Sequence, residues 1–285
     1  MCGTCGCGSE TNGPVILKPG EVKHAHSHSH GHHHGDHIHT HEHEHERDHE
    51  HHHHDHTDHH HHHNHDHNHR ILEVEQDILQ HNQLMAARNR GYFEAKNIFA
   101  VNLVSSPGSG KTSLLERTLS DMKETVSFYV IEGDQQTMHD ANRIDALHVP
   151  VVQINTGKGC HLESDMVHDA VKKLDVKENS ILMIENVGNL VCPSMFDLGE
   201  NKRVVIISIT EGDDKPIKYP DMFLTADLCL INKIDLLPYL NSDLEKLKSY
   251  ARQVNPKLEF IEVSATTGQG MDVWYTWLKS KSGNE

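Results

Sequence analysis

The chain has 285 residues, a formal charge of −16 with histidine counted neutral, and 31 histidines. That acidic balance excludes a nucleic-acid binder built on a basic face. No apolar run approaches the roughly 20 residues of a membrane span, and no charged stretch followed by an apolar one marks a secretory signal. The six cysteines, Cys2, Cys5, Cys7, Cys160, Cys192 and Cys229, are not spread as a secreted disulfide framework would be. A reducing cytoplasm with thiolates available to metal is therefore expected.

In chain order, residues 1–20 read as a Cys- and Gly-rich metal-binding leader. Cys2, Cys5 and Cys7 stand as CxxC with a further Cys two residues on. With the nearby amino terminus as a fourth donor they suit square-planar Ni²⁺, and a tetrahedral Zn²⁺ site with another fourth ligand fits the spacing equally. Residues 21–70 read as a tail in which histidine alternates with Asp, Glu, Ser and Gly. Almost nothing there is apolar, so no burial repays the entropy of ordering, and the segment is expected to be disordered without metal. Its neutral imidazoles offer overlapping sites for Ni²⁺, Zn²⁺, Cu²⁺ or Co²⁺, with high capacity, poor selectivity and loss of binding as pH falls.

Residues 71–285 read as one folded domain. Ile71, Val74, Ile78 and, more loosely, Met85 recur at helical spacing and predict an amphipathic helix packed on it. Apolar runs predict strands at 98–105, 127–131, 149–154, 181–185, 204–209, 228–232 and 260–263, with helices after Lys111, Met138, Glu163, Asp243 and Gly270. This alternation predicts an α/β fold with a mostly parallel sheet covered on both faces. Ligands then belong at the carboxyl ends of the strands.

The stretch SSPGSGKT at 105–112 fits a P-loop with Ser in place of the first Gly, after the strand FAVNLV and before the helix SLLERTL. Gly108, Ser109, Gly110, Lys111, Thr112 and Ser113 are the candidate phosphate-binding residues, because backbone N–H groups and a helix N-terminus cradle anionic oxygens. Lys111 is expected to reach the β- and γ-phosphates and Thr112 to ligate Mg²⁺. Asn232, Lys233 and Asp235 follow one apolar strand, and Ser264 and Ala265 follow the next. They resemble the guanine-reading elements of GTPases, in which a carboxylate at Asp235 accepts from two guanine donors that adenine lacks. Glu185 and Asp134, each ending an apolar strand, compete for the place near Mg²⁺ or the attacking water. The pattern does not decide between them.

Cys160 and His161 sit side by side in a loop after one strand, and Cys192 follows Glu185. Both loops lie on the expected nucleotide face, which makes the three a candidate metal site. Cys229 lies inside an apolar strand and reads as core. His81, His139, His148 and His168 have no evident partners and read as surface or core.

Together these stretches, with SSPGSGKTSLLE, EGDQQT, GKGCHLE, ENVGNLVCP, EGDDKPIKYP and NKIDL, resemble the HypB family of nickel-inserting GTPases of [NiFe]-hydrogenase maturation. The Ser at the first P-loop position is usual in that family. The resemblance implies a SIMIBI-type GTPase domain, of the signal-recognition and MinD-like branch, that dimerises on GTP. It implies a metal site at Cys160, His161 and Cys192 and a high-affinity nickel leader at Cys2, Cys5 and Cys7. Implied ligands are GTP or GDP, Mg²⁺, Ni²⁺ and Zn²⁺. Implied partners are a second copy, the small nickel chaperone HypA and the hydrogenase large-subunit precursor, with no nucleic acid and no membrane. Relatives serving urease or handling zinc and cobalt share the P-loop and NKxD, and a protein that mainly stores metal is a further alternative.

Overall fold

The computed structural model describes residues 14–21, 66–135 and 137–283. The expectations for Cys2, Cys5, Cys7 and for the tail up to residue 65 lie outside the described residues. The strands are β1 (Val15–Leu17), β2 (Ile98–Ser105), β3 (Phe128–Asp134), β4 (Val151–Asn155), β5 (Ser180–Glu185), β6 (Lys202–Ser208), β7 (Leu228–Asn232) and β8 (Glu259–Glu262). The helices are α1 (Asp66–Ala95), α2 (Lys111–Met122), α3 (His139–Asp145), α4 (Ser164–Leu174), α5 (Lys215–Lys218), α6 (Pro220–Leu224), α7 (Leu244–Val254) and α8 (Met271–Ser282). Among the described residues they build one eight-stranded sheet in the order β1-β4-β3-β5-β2-β6-β7-β8. Every pairing is parallel except that of β1 with β4.

The two-residue period of a strand explains how such apolar runs serve both faces. Phe99, Val101 and Leu103 of β2 pack with Leu114, Leu115 and Leu119 of α2 and Trp274 of α8. Ile98 and Ala100 of the same strand pack on the other face with Phe93 of α1 and Val167 and Val171 of α4. Val205, Ile207 and Ile231 extend that second face over α6 and α7. Trp274 has no exposed surface, and its indole Nε1 donates to Thr118 Oγ1 at 2.9 Å, so burying the ring strands no donor.

Three features depart from the sequence-based expectation. Val15–Leu17 joins the sheet edge, with Val15 opposite Asn155 and Leu17 opposite Gln153, and Lys173 Nζ donates to Ile16 O at 2.8 Å. The sheet thus takes three residues from the stretch read as leader. The short helices α5 and α6 and the 3-10 turn Cys192–Met195 lack any apolar period long enough to be read, and each carries Pro in its first turn. The helix expected near residue 71 is present as α1, but among its described side chains Ile78, expected on the packed face, is not there. Ile78 is 43% exposed, whereas Asn82, Ala86, Asn89 and Phe93 are buried.

That face is a polar clasp. Asn82 Oδ1 accepts from Ser164 N at 2.8 Å, and Asn82 Nδ2 donates to Asp197 O at 2.7 Å. Asn89 Nδ2 donates to Ser164 O at 2.7 Å and Leu198 O at 3.0 Å. Arg90 grips Asp197 through both carboxylate oxygens at 2.8 and 2.9 Å. Gly199 passes so close that a Cβ there would lie 2.6 Å from Ala86 O, at a φ of +87 that favours glycine in any case. One helix therefore holds both the start of α4 and the loop after Cys192.

Candidate functional site: a phosphate cleft beside a cysteine–histidine cluster

The P-loop leaves β2 at the centre of the sheet, between β5 and β6, where the chain order reverses direction. A cleft forms there, as expected at the switch point of such a sheet. It is lined by residues 105–113 of the P-loop, by Glu132, Asp134, Asp140 and Arg143, and by Glu185 and Gly188. Gly110 caps α2 with φ 90 and ψ 26, and a Cβ on it would lie 2.6 Å from Asn232 Nδ2. Only glycine fits between the loop and that amide.

Lys111 Nζ donates to Glu185 Oε1 at 2.7 Å and to the Asn186 carbonyl at 2.6 Å, and Thr112 Oγ1 donates to the same Glu185 oxygen at 2.7 Å. Glu185 sits beside Glu132 across the β3–β5 ladder, and Glu132 sits beside Gln153 across β3–β4. One carboxylate oxygen each from Glu132, Asp140 and Glu185 lies within 4.8 Å of the others. Burial, and then the neighbouring Glu185 charge, push the Glu132 carboxyl well above the ordinary carboxylate range. Oε2 of Glu132 and Oε2 of Glu185 are buried without a hydrogen-bond partner. Orphaned carboxylate oxygens beside a threonine hydroxyl are hard donors of the kind Mg²⁺ takes, so the residues present fit that ion.

Of the two acids that the sequence left in competition, Asp134 lines the cleft but spends its carboxylate on its own loop. It accepts from Gln135 N at 2.7 Å, Thr137 N at 3.0 Å and Thr137 Oγ1 at 2.7 Å. Glu185 is the one beside Lys111 and Thr112. Sequence reasoning missed Glu132, Asp140 and Arg143. The available signal for Glu132 is its parity: it follows Phe128 and Val130 on the strand face that α2 covers. Arg143 pairs with Glu116 at 2.5 Å and Asp140 at 3.0 Å on the cleft wall.

The elements expected to read the base lock onto the P-loop. Asn232 Nδ2 donates to Ser109 O at 3.0 Å, and its Oδ1 accepts from Lys233 N at 2.8 Å and Ala265 N at 3.2 Å. Lys233, in the left-handed region at φ 63, lays its ammonium on Gly108 O at 2.7 Å. Ser264 is buried and its Oγ accepts from Thr267 N at 3.1 Å. Asp235 stands half-buried in the first turn of the 3-10 helix Ile234–Tyr239.

The second cluster forms where the loops after β4 and β5 meet. Cys160 Sγ lies 2.8 Å from Cys192 Sγ, longer than the roughly 2.05 Å of a disulfide. It lies 3.8 Å from His161 Nδ1, and the three ligand atoms fall within 4.8 Å of one another. His161 is buried, stacked on Phe196 with centroids 3.9 Å apart. Its Nε2 faces Glu163 Oε1 at 3.4 Å without hydrogen-bond geometry. Two sulfurs and an imidazole suit a borderline ion such as Ni²⁺ or Zn²⁺. Cys229 is fully buried in β7, and burial pushes its thiol far up, as a core residue requires. Among the other histidines left unassigned, His168 packs against α1, with Nδ1 3.2 Å from Asn89 Oδ1.

The fold and cleft define a P-loop nucleotide-binding protein. Residues 99–262 match the family described as the CobW/HypB/UreG nucleotide-binding domain. A hydrogenase maturation factor HypB from Escherichia coli K12 is 57% identical over 212 residues, covering 74% of this chain and 73% of the relative. One from Azotobacter vinelandii is 59% identical over 214 residues, covering 75% and 71%. Solved structures agree: a HypB from Archaeoglobus fulgidus matches with TM-score 0.67 at 40% identity, covering 71% of this chain and 99% of that one. A Helicobacter pylori HypB in complex with nickel matches with TM-score 0.66 at 37% identity, covering 70% and 94%. The chain belongs to the HypB family.

Proposed function

We propose that this protein hydrolyses GTP and uses the cycle to hold and then deliver nickel for [NiFe]-hydrogenase maturation in the cytoplasm. The observation that carries the reading is the pairing of the two clusters. Cys160, His161 and Cys192 stand on the loops after β4 and β5, at the same carboxyl edge of the sheet as Glu185 and the P-loop after β2. Lys111 binds the β- and γ-phosphates, and Thr112 with Glu185 would hold Mg²⁺, which would supply charge neutralisation at the transferring phosphoryl group. Glu132 and Asp140 would add carboxylate oxygens beside Glu185 at that site. Asp235 selects guanine by accepting from the base.

Nickel is cargo rather than a resident cofactor. If the two nucleotide states hold the ion differently, the nickel states must hold the nucleotides differently by the same factor. Hydrolysis then gives transfer a direction. The receiving partners in this reading are a HypA-type chaperone and the hydrogenase large-subunit precursor, with a GTP-promoted homodimer as the working form. The histidine-rich tail stores nickel, and zinc competes at the thiolate site.

The test is turnover with transfer. The nickel-loaded chain, given GTP, should form GDP and phosphate and pass nickel to a chelating acceptor faster than with a non-hydrolysable analogue. Asp235→Ala should lose the preference for GTP over ATP. Equal transfer with both nucleotides, or no phosphate release, refutes the reading.

A further inference from the structure

We propose that Asn186 and Leu162 form the joint through which the phosphate-binding lysine and the Cys160–His161–Cys192 cluster act on each other. The proposal rests on the coupled-delivery reading above and assigns that coupling to particular atoms.

Asn186 follows Glu185 directly and has no exposed surface. Its backbone carbonyl accepts from Lys111 Nζ at 2.6 Å, and its backbone N–H donates to Leu103 O at 3.0 Å. Its side-chain Oδ1 accepts from Leu162 N at 3.2 Å and Val187 N at 3.0 Å, while Nδ2 donates to Asn102 Oδ1 at 3.3 Å. One residue therefore holds the P-loop lysine with its main chain and the residue after His161 with its side chain. Cys192 lies further along the same loop.

Leu162 gives the second half of the joint. It is fully buried, and its side chain presses on Gly133, where a Cβ would meet Leu162 Cγ, Cδ1 and Cδ2 at 3.0 Å each. Gly133 lies between Glu132 and Asp134 on the cleft wall. Leu162 is thus held from the cleft on two sides, by its N–H and by its side chain, next to the imidazole of the metal cluster.

Phosphate oxygens compete for the ammonium that Glu185 and the Asn186 carbonyl now share. Drawing Lys111 toward a phosphate shifts the Asn186 peptide. A close-packed interior passes such a shift on instead of absorbing it. The Leu162 N–H and the His161 ring beside it then move relative to Cys192. An asparagine with only a structural role would lower stability with either nucleotide and leave the ratio of metal affinities intact.

The experiment uses the full chain with Cys2, Cys5 and Cys7 replaced by Ser. Thiolate-to-nickel charge-transfer absorbance then reports Cys160 and Cys192, and histidine cannot produce it. Nickel is titrated with saturating GDP and with a non-hydrolysable GTP analogue. The parent should show affinities differing by about tenfold, within the usual range of such couplings. Asn186→Ala should bring them within about twofold of each other, against that same range. Thr118→Val, which unpairs the buried Trp274 indole without touching Asn186 or Leu162, should lower stability yet keep the difference. Retention of the difference in Asn186→Ala overturns the joint alone. Its absence in the parent overturns coupled delivery and the joint with it. Should Asn186→Ala fail to fold, hydrogen exchange at the Leu162 amide of the parent decides. Protection that changes between the two nucleotides supports the joint, and identical protection overturns it.

Discussion

Replacing Asn89 with Ala tests whether α1 is held to the domain by its polar face. The side chain is buried and donates to two carbonyls, Ser164 O at 2.7 Å and Leu198 O at 3.0 Å. Ser164 opens α4, so its carbonyl keeps a helical partner, and the loss there is that of an ordinary hydrogen bond, about 0.5–1.5 kcal/mol. The Leu198 carbonyl loses its donor while still shielded by α1, which costs about 1–3 kcal/mol. The sum is about 3 kcal/mol, or roughly 6–12 °C in Tm for a domain of this size. Denaturant unfolding measures the loss, and hydrogen exchange should show the amides of 82–93 losing protection before the sheet does. A loss under about 0.5 kcal/mol, the level of an ordinary surface substitution, refutes the clasp. So does an unchanged exchange pattern in α1.

The same contact predicts a pH response. Burial, then the charges of Lys172 and Arg88, hold the His168 imidazole below its ordinary range. The native state thus resists a proton that the unfolded chain accepts. The stability involved is whole above the ordinary imidazole pKa and is lost as pH falls through the depressed native value. Unfolding midpoints followed from pH 7.5 to 5.5 should fall less steeply in His168→Gln, and parallel curves would contradict this. Glu132 has the opposite sign: its raised pKa gives stability below the ordinary carboxylate range that is lost as pH rises through the native value. In the presence of EDTA, Glu132→Gln should be more stable than the parent at pH 8, with the gain vanishing in acid. A variant less stable at pH 8 would count against it. Gly110→Ala should weaken GDP binding more than tenfold while leaving circular dichroism unchanged. The left-handed backbone costs about 1–2 kcal/mol, and the new Cβ displaces the Asn232 amide from 2.6 Å. Fluorescent GDP titration reads it, and normal affinity would refute the assignment of that turn.

Strands such as Ile98–Ser105 and Leu228–Asn232 are legible because they are mostly apolar, and the helices after Lys111, Glu163 and Gly270 because apolar residues recur along them at helical spacing. The P-loop and the Asn232 tie are legible as local motifs, and the adjacency of Cys160, His161 and Cys192 follows from placing their loops on one edge. What depends on the register between strands is not. Glu132 meets Glu185 only because β3 and β5 align those two residues, and nothing along the chain states the alignment. The docking face of α1 is hidden for another reason: Asn82 and Asn89 are polar, so a search for an apolar stripe settles on Ile78, which faces out. Asn186 escapes notice because its role lies in what its main chain and side chain each reach.

The antiparallel pairing of β1 has a consequence for reach. Because Val15 lies opposite Asn155, the chain enters the sheet at the edge from which the Cys160 loop departs. Val15 lies eight positions after Cys7 in the sequence, and even fully extended that stretch spans under about 30 Å. The strand acts as an anchor that fixes Val15 beside the end of β4, so the sheet edge sets the point from which the preceding chain departs.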